Sequence, residues 1–200
     1  MPPVRVVESV DIDAPRAELW AILADNSRRL RLSPLWGVAE IQDVDPNYPQ
    51  EGSRYHVKLI GDEPVEYDNV VTEFVPPHKF AYRVTAERQT HTTWTLQEVS
   101  QGTRLMFNEE FLVDDTGEDD FVHQVRAASK EWLQNIKRYA ELRHNWRQRL
   151  VRRAIDRFVL PLKASQRRVI LILLAWEAVG CLAFVGVALV WGAASLFRAN

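Results

Sequence analysis

One carboxylate stands where the chain's pattern calls for an apolar side chain. Leu105, Phe107, Glu109 and Phe111 alternate along a strand-like run, so they share a face. If that face is the inner one, Glu109 is buried. A buried carboxylate keeps its proton to higher pH, and it can serve as an acid or orient a ligand. A twist or bulge in the strand would instead leave Glu109 in solvent, with Glu110 on the other face. Aromatic side chains surround this position in the pattern. Tyr55, Tyr82, Trp94 and Phe107 fall on separate candidate strands, and Trp132 and Tyr139 on a candidate helix. Alternation puts Val57 beside Tyr55 and Val84 beside Tyr82. Such a set either lines a cavity for a greasy molecule, with tyrosine hydroxyls as polar handles, or fills an ordinary core. If the cavity is catalytic, Glu109, Tyr82 and Tyr55 are the acid–base candidates.

Other chemistries lack their residues. His56, His78, His91, His123 and His144 have no metal-ligand spacing, and the single cysteine, Cys181, rules out a cysteine cluster or an intrachain disulfide. No glycine-rich phosphate loop, nucleophile elbow or H-E-x-x-H pattern occurs. No metal and no cofactor is expected. His91, in the polar run Gln89 to Thr93, either offers a donor at a cavity mouth or is an exposed strand start.

The elements that must position these residues can be read from periodicity. Val4–Asp11 alternates and is valine-rich, a strand. Asp13-Ala14-Pro15 starts a helix with Asp13 as its cap, and the helix ends near Asn26-Ser27. Arg28–Trp36 is a short basic-apolar piece, a candidate second short helix broken around Pro34 and Gly37. Six candidate strands follow: 38–44, 52–60, 65–75, 79–86, 90–99 and 103–113. Turn residues separate them, the pattern of an antiparallel meander. Glu118-Asp119-Asp120 opens a long helix whose stripe is Phe121, Val125, Ala128, Trp132, Ile136 and Tyr139. This order suits an α+β fold in which a curved antiparallel sheet wraps around a long C-terminal helix.

Charge divides the chain. Residues 1–140 hold 15 Lys/Arg against 24 Asp/Glu, a net of −9, and residues 141–200 hold 10 against 3, a net of +7. The acidic part is a poor nucleic-acid binder, since the phosphate backbone calls for a basic footprint. In the basic part, Trp146, Leu150, Val151, Ala154, Ile155, Phe158 and Leu162 form one apolar face. Arg147, Arg149, Arg152, Arg153 and Arg157 lie on the other, as in a helix resting on anionic lipid. Residues 169–197 are then almost wholly apolar, with Glu177 the one charge. The uncharged stretch 178–197 would span ~30 Å as a helix, one bilayer core. Glu177 either sits within the membrane or marks its interface near Arg167 and Arg168. Ala188 and Gly192 form a weak small-residue dimer signal. The arginines before the span place the N-terminal part in the cytoplasm.

The run IDAPRAELWAILAD (Ile12–Asp25), the segment VTEFVPPHKFAYRV (Val71–Val84) and the stretch TTWTLQEVSQGTRLMFNEEF (Thr92–Phe111) together resemble the SRPBCC superfamily of START-like and polyketide cyclase/dehydrase-like domains. The resemblance covers roughly Val4–Leu142 and implies a helix-grip fold with an elongated cavity between sheet and helix. It implies no particular chemistry, because fold does not dictate function. The organisation expected is a ligand-binding domain over 1–145, a basic amphipathic juxtamembrane helix over 146–168 and a transmembrane helix over 169–197. The function expected is binding or transfer of a hydrophobic small molecule or lipid at the cytoplasmic face of a membrane. The ligand site would hold Tyr55, Val57, Tyr82, Val84, Trp94, Phe107, Glu109, Trp132 and Tyr139. Two alternatives stand beside it: a cyclase/dehydratase-like enzyme, for which no compact catalytic motif is visible, and a membrane-tethered adaptor for a protein partner, with a filled interior.

Overall fold

The structure, a computed structural model, describes residues 3–35, 37, 39–60, 64–86, 89–111 and 118–162, and positions 166, 169, 172, 173, 176 and 177. The chain forms two compact units, residues 1–164 and 165–200.

The first unit is built on one seven-stranded sheet. Its strands are β1 (Val4–Ile12), β2 (Ala39–Gln42), β3 (Arg54–Leu59), β4 (Val65–Val75), β5 (Lys79–Thr85), β6 (Thr90–Val99) and β7 (Gly102–Phe111). The spatial order is β1-β7-β6-β5-β4-β3-β2, antiparallel throughout. The six-strand meander is therefore β2 to β7, and β1 lies against its last strand. The expected bounds of β4 and β6 and the starts of β1 and β5 match the observed ones, and the remaining ends differ by one or two residues. A register shift between Val71 and Glu73 on β4 bends the sheet.

The helices depart from expectation in three places. Helix α1 (Arg16–Ala24) starts after Pro15 with no side-chain cap, so Asp13 does not cap it. The backbone N–H of Asp13 instead donates to Glu141 Oε1 at 3.1 Å. Helix α1 ends at Ala24, two residues before the expected Asn26-Ser27, and the short helix expected from Arg28 begins earlier. Asp25 accepts from the Arg28 backbone N–H at 3.0 Å and caps a second helix, α2 (Asn26–Arg31). In α3 (Glu118–Ala140), Ala128 is exposed and Ser129 takes its place in the buried stripe. That is tolerable because its hydroxyl donates to the Val125 carbonyl at 2.6 Å.

The core lies between the concave face of the sheet and helices α1 and α3. It holds Leu19, Ile22 and Leu23 of α1, Phe80, Trp94, Leu96, Leu105 and Phe107 of the sheet, and Leu133 and Ile136 of α3. Each such side chain contributes about 1.5–3 kcal/mol when fully buried. The β6–β7 turn closes on Gly102, whose φ is +102°, and it presses against the backbone that leads into α1. Thr103 Oγ1 donates to the Ala14 carbonyl there at 2.9 Å.

Helix α4 (Trp146–Ala154) opens with a capping box between Asn145 and Gln148 and ends in a π-helical turn, Ile155–Val159. Its apolar side chains do not all face one way. Ile155 packs on the core cluster, while Trp146, Leu150, Val151 and Phe158 are exposed. Arg152 is turned inward. It pairs with Glu18, which also takes Arg143 at 2.9 Å, and its guanidinium lies 4.7 Å from the centre of the Tyr139 ring. The expectation that Arg152 faces a membrane is therefore corrected. A carboxylate on α1 draws it back to the body, and Arg147, Arg149, Arg153 and Arg157 remain exposed.

In the second unit, positions 166, 169, 172, 173, 176 and 177 are helical, and Val169, Ile172, Leu173 and Trp176 are exposed. The uncharged run 178–197, with Ala188 and Gly192, lies outside the described residues. Among the described residues, no helix is long and apolar enough to cross a membrane.

Candidate functional site

A cavity of about 210 Å³ lies between the concave face of the sheet, helix α2 and helix α3. Strand alternation and antiparallel register build its floor in two rows. Tyr55, Asn69, Val84 and Thr90 face one another across β3 to β6, and Tyr82, Thr92 and Glu109 do so across β5 to β7. Val57 and Tyr67 extend the floor, and Asn26, Arg29, Leu30, Leu35 and Trp132 form the roof. Trp132 ties the two roof helices together, its Nε1–H donating to the Arg29 carbonyl at 3.0 Å.

Arg29 is the dominant charge of the site. It is 2% exposed. Its guanidinium donates to the Leu23 carbonyl, to the Tyr48 hydroxyl at 3.1 Å and to the Tyr55 hydroxyl at 2.9 Å, all neutral acceptors. It lies 4.5 Å from the centre of the Phe80 ring and 5.2 Å from that of Tyr82. Burial opposes its charge, but the oxygens of Tyr55, Tyr48 and Tyr82 favour it, and its pKa stands above the ordinary guanidinium value. Among the described residues, no carboxylate comes within 4.0 Å of it.

Glu109 faces inward, as the alternation suggested. Burial alone raises its pKa to about 7. Arg29 reaches side chains of β3 and β5 while Glu109 stands on β7, so the two groups mark separate ends of the cavity. Tyr82 lies between them and feels both. Burial, with Glu109 adding to it and Arg29 opposing, pushes its hydroxyl to about 12. Burial raises Tyr67 to about 12 as well, and it raises Tyr55 further. The tyrosines are therefore neutral donors at neutral pH. The site offers a fixed cation at one end, a carboxyl that gains or loses its proton near neutrality at the other, and apolar walls between.

Of the expected ligand-site residues, Tyr55, Val57, Tyr82, Val84, Glu109 and Trp132 line this cavity. Three do not. Trp94 and Phe107 pack edge-on against each other beneath it, with ring centres 4.7 Å apart. Tyr139 belongs to the core cluster but not to the cavity lining, and its hydroxyl donates to Asp156 at 2.5 Å. Alternation gave the correct face for Trp94 and Phe107, but not the depth, because neighbouring rings fill the space around them. His91 is on the opposite face of β6, with Nε2 3.0 Å from the Thr72 hydroxyl. Arg29, Asn26, Tyr67 and Asn69 went unnoticed in the sequence, while Thr90 and Thr92 of the polar run do line the cavity. Asn69 had a signal, since it interrupts the buried alternation of Tyr67 and Val71 as Glu109 does on β7. Arg29 had a fainter one: Ile22, Asn26 and Arg29 recur at helical spacing.

The family model described as polyketide cyclase/dehydrase and lipid transport matches residues 3–141. The chain belongs to this family. No curated protein matches the sequence. Among solved structures, this family member is similar to protein CV1439 from Chromobacterium violaceum (17% identity, TM-score 0.53, 66% of this chain and 96% of that one). It is similar to the di-domain ARO/CYC StfQ from the steffimycin biosynthetic pathway (14% identity, TM-score 0.59, 70% and 51%). It is also similar to Ara h 8.0201 (17% identity, TM-score 0.54, 70% and 98%). At these identities the likeness is one of fold. It agrees with a helix-grip arrangement of sheet and long helix.

Proposed function

We propose that this family member binds a small hydrophobic or amphipathic molecule in the cavity under α2 and α3, and that it does so beside a membrane. The observation that carries the reading is the cavity itself, an unfilled space with apolar walls and a few convergent polar groups inside an otherwise close-packed core. About 210 Å³ is smaller than the usual 300–1,000 Å³ of small-molecule sites, so the cavity encloses a head group or a short molecule. A longer tail would leave through the mouth. The family description, which names lipid transport, supports the same reading.

The test is extraction and mass spectrometry of the full-length protein, purified in a mild detergent. A stoichiometric apolar compound, retained through purification and absent from the detergent blank, is the expected result. An empty, folded protein that acquires nothing from a lipid extract would sink the reading.

The membrane setting rests on the uncharged run 178–197 and on α4. Removing residues 178–200 is expected to move the protein from the membrane pellet to the soluble fraction. A full-length chain already soluble in the absence of detergent would refute the tether.

Glu109 favours a second reading, a cyclase or dehydratase. A carboxyl with a pKa of about 7 is suited to move protons at neutral pH, and it lies on the cavity floor. The StfQ likeness belongs with this reading. Here Glu109→Gln abolishes turnover of a polyketide substrate, whereas in a carrier it leaves ligand retention in place.

A further inference from the structure

The deepest polar feature of the cavity has no counter-charge. Removing a guanidinium from water is unfavourable by several kcal/mol unless an anion or a full set of hydrogen bonds replaces the hydration. Arg29 has the aromatic rings of Phe80 and Tyr82 and three neutral acceptors. All three acceptors are neutral oxygens, so no anion answers the charge among the described residues. The same wall holds an unanswered donor, Asn26 Nδ2, which is buried and has no hydrogen-bond partner among them. Glu109 forms no ion pair with Arg29. One roof helix thus holds a buried cation without a counter-anion and a buried amide donor without an acceptor, and both residues border the empty space. A purely apolar occupant would leave them unanswered. An occupant with an anionic oxygen pair would satisfy them with charge-assisted bonds, the geometry in which a guanidinium is most effective.

Resting on the binding reading above, we infer that the occupant is an amphipathic carboxylate, seated with its carboxylate against Arg29 and Asn26 and its apolar part along Leu30, Val57, Val84 and Trp132.

Calorimetry with octanoate and 1-octanol tests this on the full-length protein in lipid nanodiscs, with empty nanodiscs as the blank. Octanoate is expected to bind at least about tenfold more tightly than 1-octanol, the effect of one or two charge-assisted bonds. Arg29→Met is expected to erase that preference while 1-octanol binding persists. Equal binding of acid and alcohol to the unaltered protein overturns the inference and leaves the binding reading intact. Binding of neither probe also overturns it, and the extraction experiment then decides separately whether the cavity holds anything. One readout does not depend on the variant folding. The pKa of bound octanoate labelled with ¹³C at the carboxyl should fall below that of the free acid. A bound pKa at or above the free value overturns the inference.

Discussion

Glu109→Gln is expected to raise the stability of the protein at pH 8 by about 3 kcal/mol and to leave it nearly unchanged at pH 4. The sign follows from proton binding. Burial lifts the Glu109 pKa from 4.5 in the unfolded chain to about 7 in the folded one. A carboxyl raised in this way favours folding fully below the unfolded value, and that contribution is lost as pH climbs through the folded one. Between pH 4.5 and 7 the folded protein binds the proton more tightly, so each pH unit removes ~1.4 kcal/mol. The groups facing Glu109 do not offset this. Tyr67, Tyr82 and Thr92 are neutral, Val6 is apolar, and Arg29 lies at the other end of the cavity. Glutamine keeps the shape and never carries charge. For a unit of this size the gain corresponds to a melting-point difference of roughly 6–12 °C at pH 8. Melting both proteins from pH 4 to pH 9 checks it, and curves that stay parallel across the range would show that Glu109 is not buried.

Gly102→Ala is expected to destabilise the fold by about 4 kcal/mol or more, because two penalties coincide. At φ +102° a residue with a Cβ is strained. The added carbon would also stand 2.1 Å from the Ile12 carbonyl oxygen and 3.0 Å from Ala14 N and Asp13 Cα. All three are backbone atoms, so the turn and the lead into α1 must separate, and the Thr103–Ala14 bond goes with them. Gly52 serves as the control. It also has a positive φ, +84°, but nothing lies within 4 Å of its missing Cβ. Gly52→Ala is expected to carry only the conformational part, about 1 kcal/mol. Urea denaturation of the two variants separates strain from collision, and equal losses would refute the close approach at Gly102.

The sheet was legible because its cause is local. Period-two alternation and turn residues fix strands one at a time, and β4 and β6 came out with their true bounds. The long helix was legible in outline, although Ser129 and Ala128 exchanged places, because a serine whose hydroxyl bonds to the preceding turn behaves as a small apolar residue. The candidate site was legible only where a polar residue broke an apolar alternation, as Glu109 does. Arg29 was hidden for a physical reason. Its burial depends on tyrosines from β3 and β5 and on a loop tyrosine, Tyr48, none of them near it in sequence. Arg152 was misplaced for the same kind of reason, since Glu18, which draws it inward, lies 134 positions away.

The pairing of β1 with β7 gives the cavity a hinge in time. These strands run side by side from Val4 opposite Phe111 to Ile12 opposite Thr103, so closing them joins the first strand of the sheet to the last in sequence. The equilibrium penalty for so long a loop is modest, about 0.6 kcal/mol per doubling of length, but the closure is slow to find. Val6 of β1 stands directly opposite Glu109 in that seam. Whenever the edge strand peels away, water reaches the carboxyl and its hold on the proton relaxes toward that of an ordinary glutamate. Proton release and fraying of the N-terminal strand are therefore one coupled event. Rising alkalinity loosens the seam that backs the β7 end of the cavity floor.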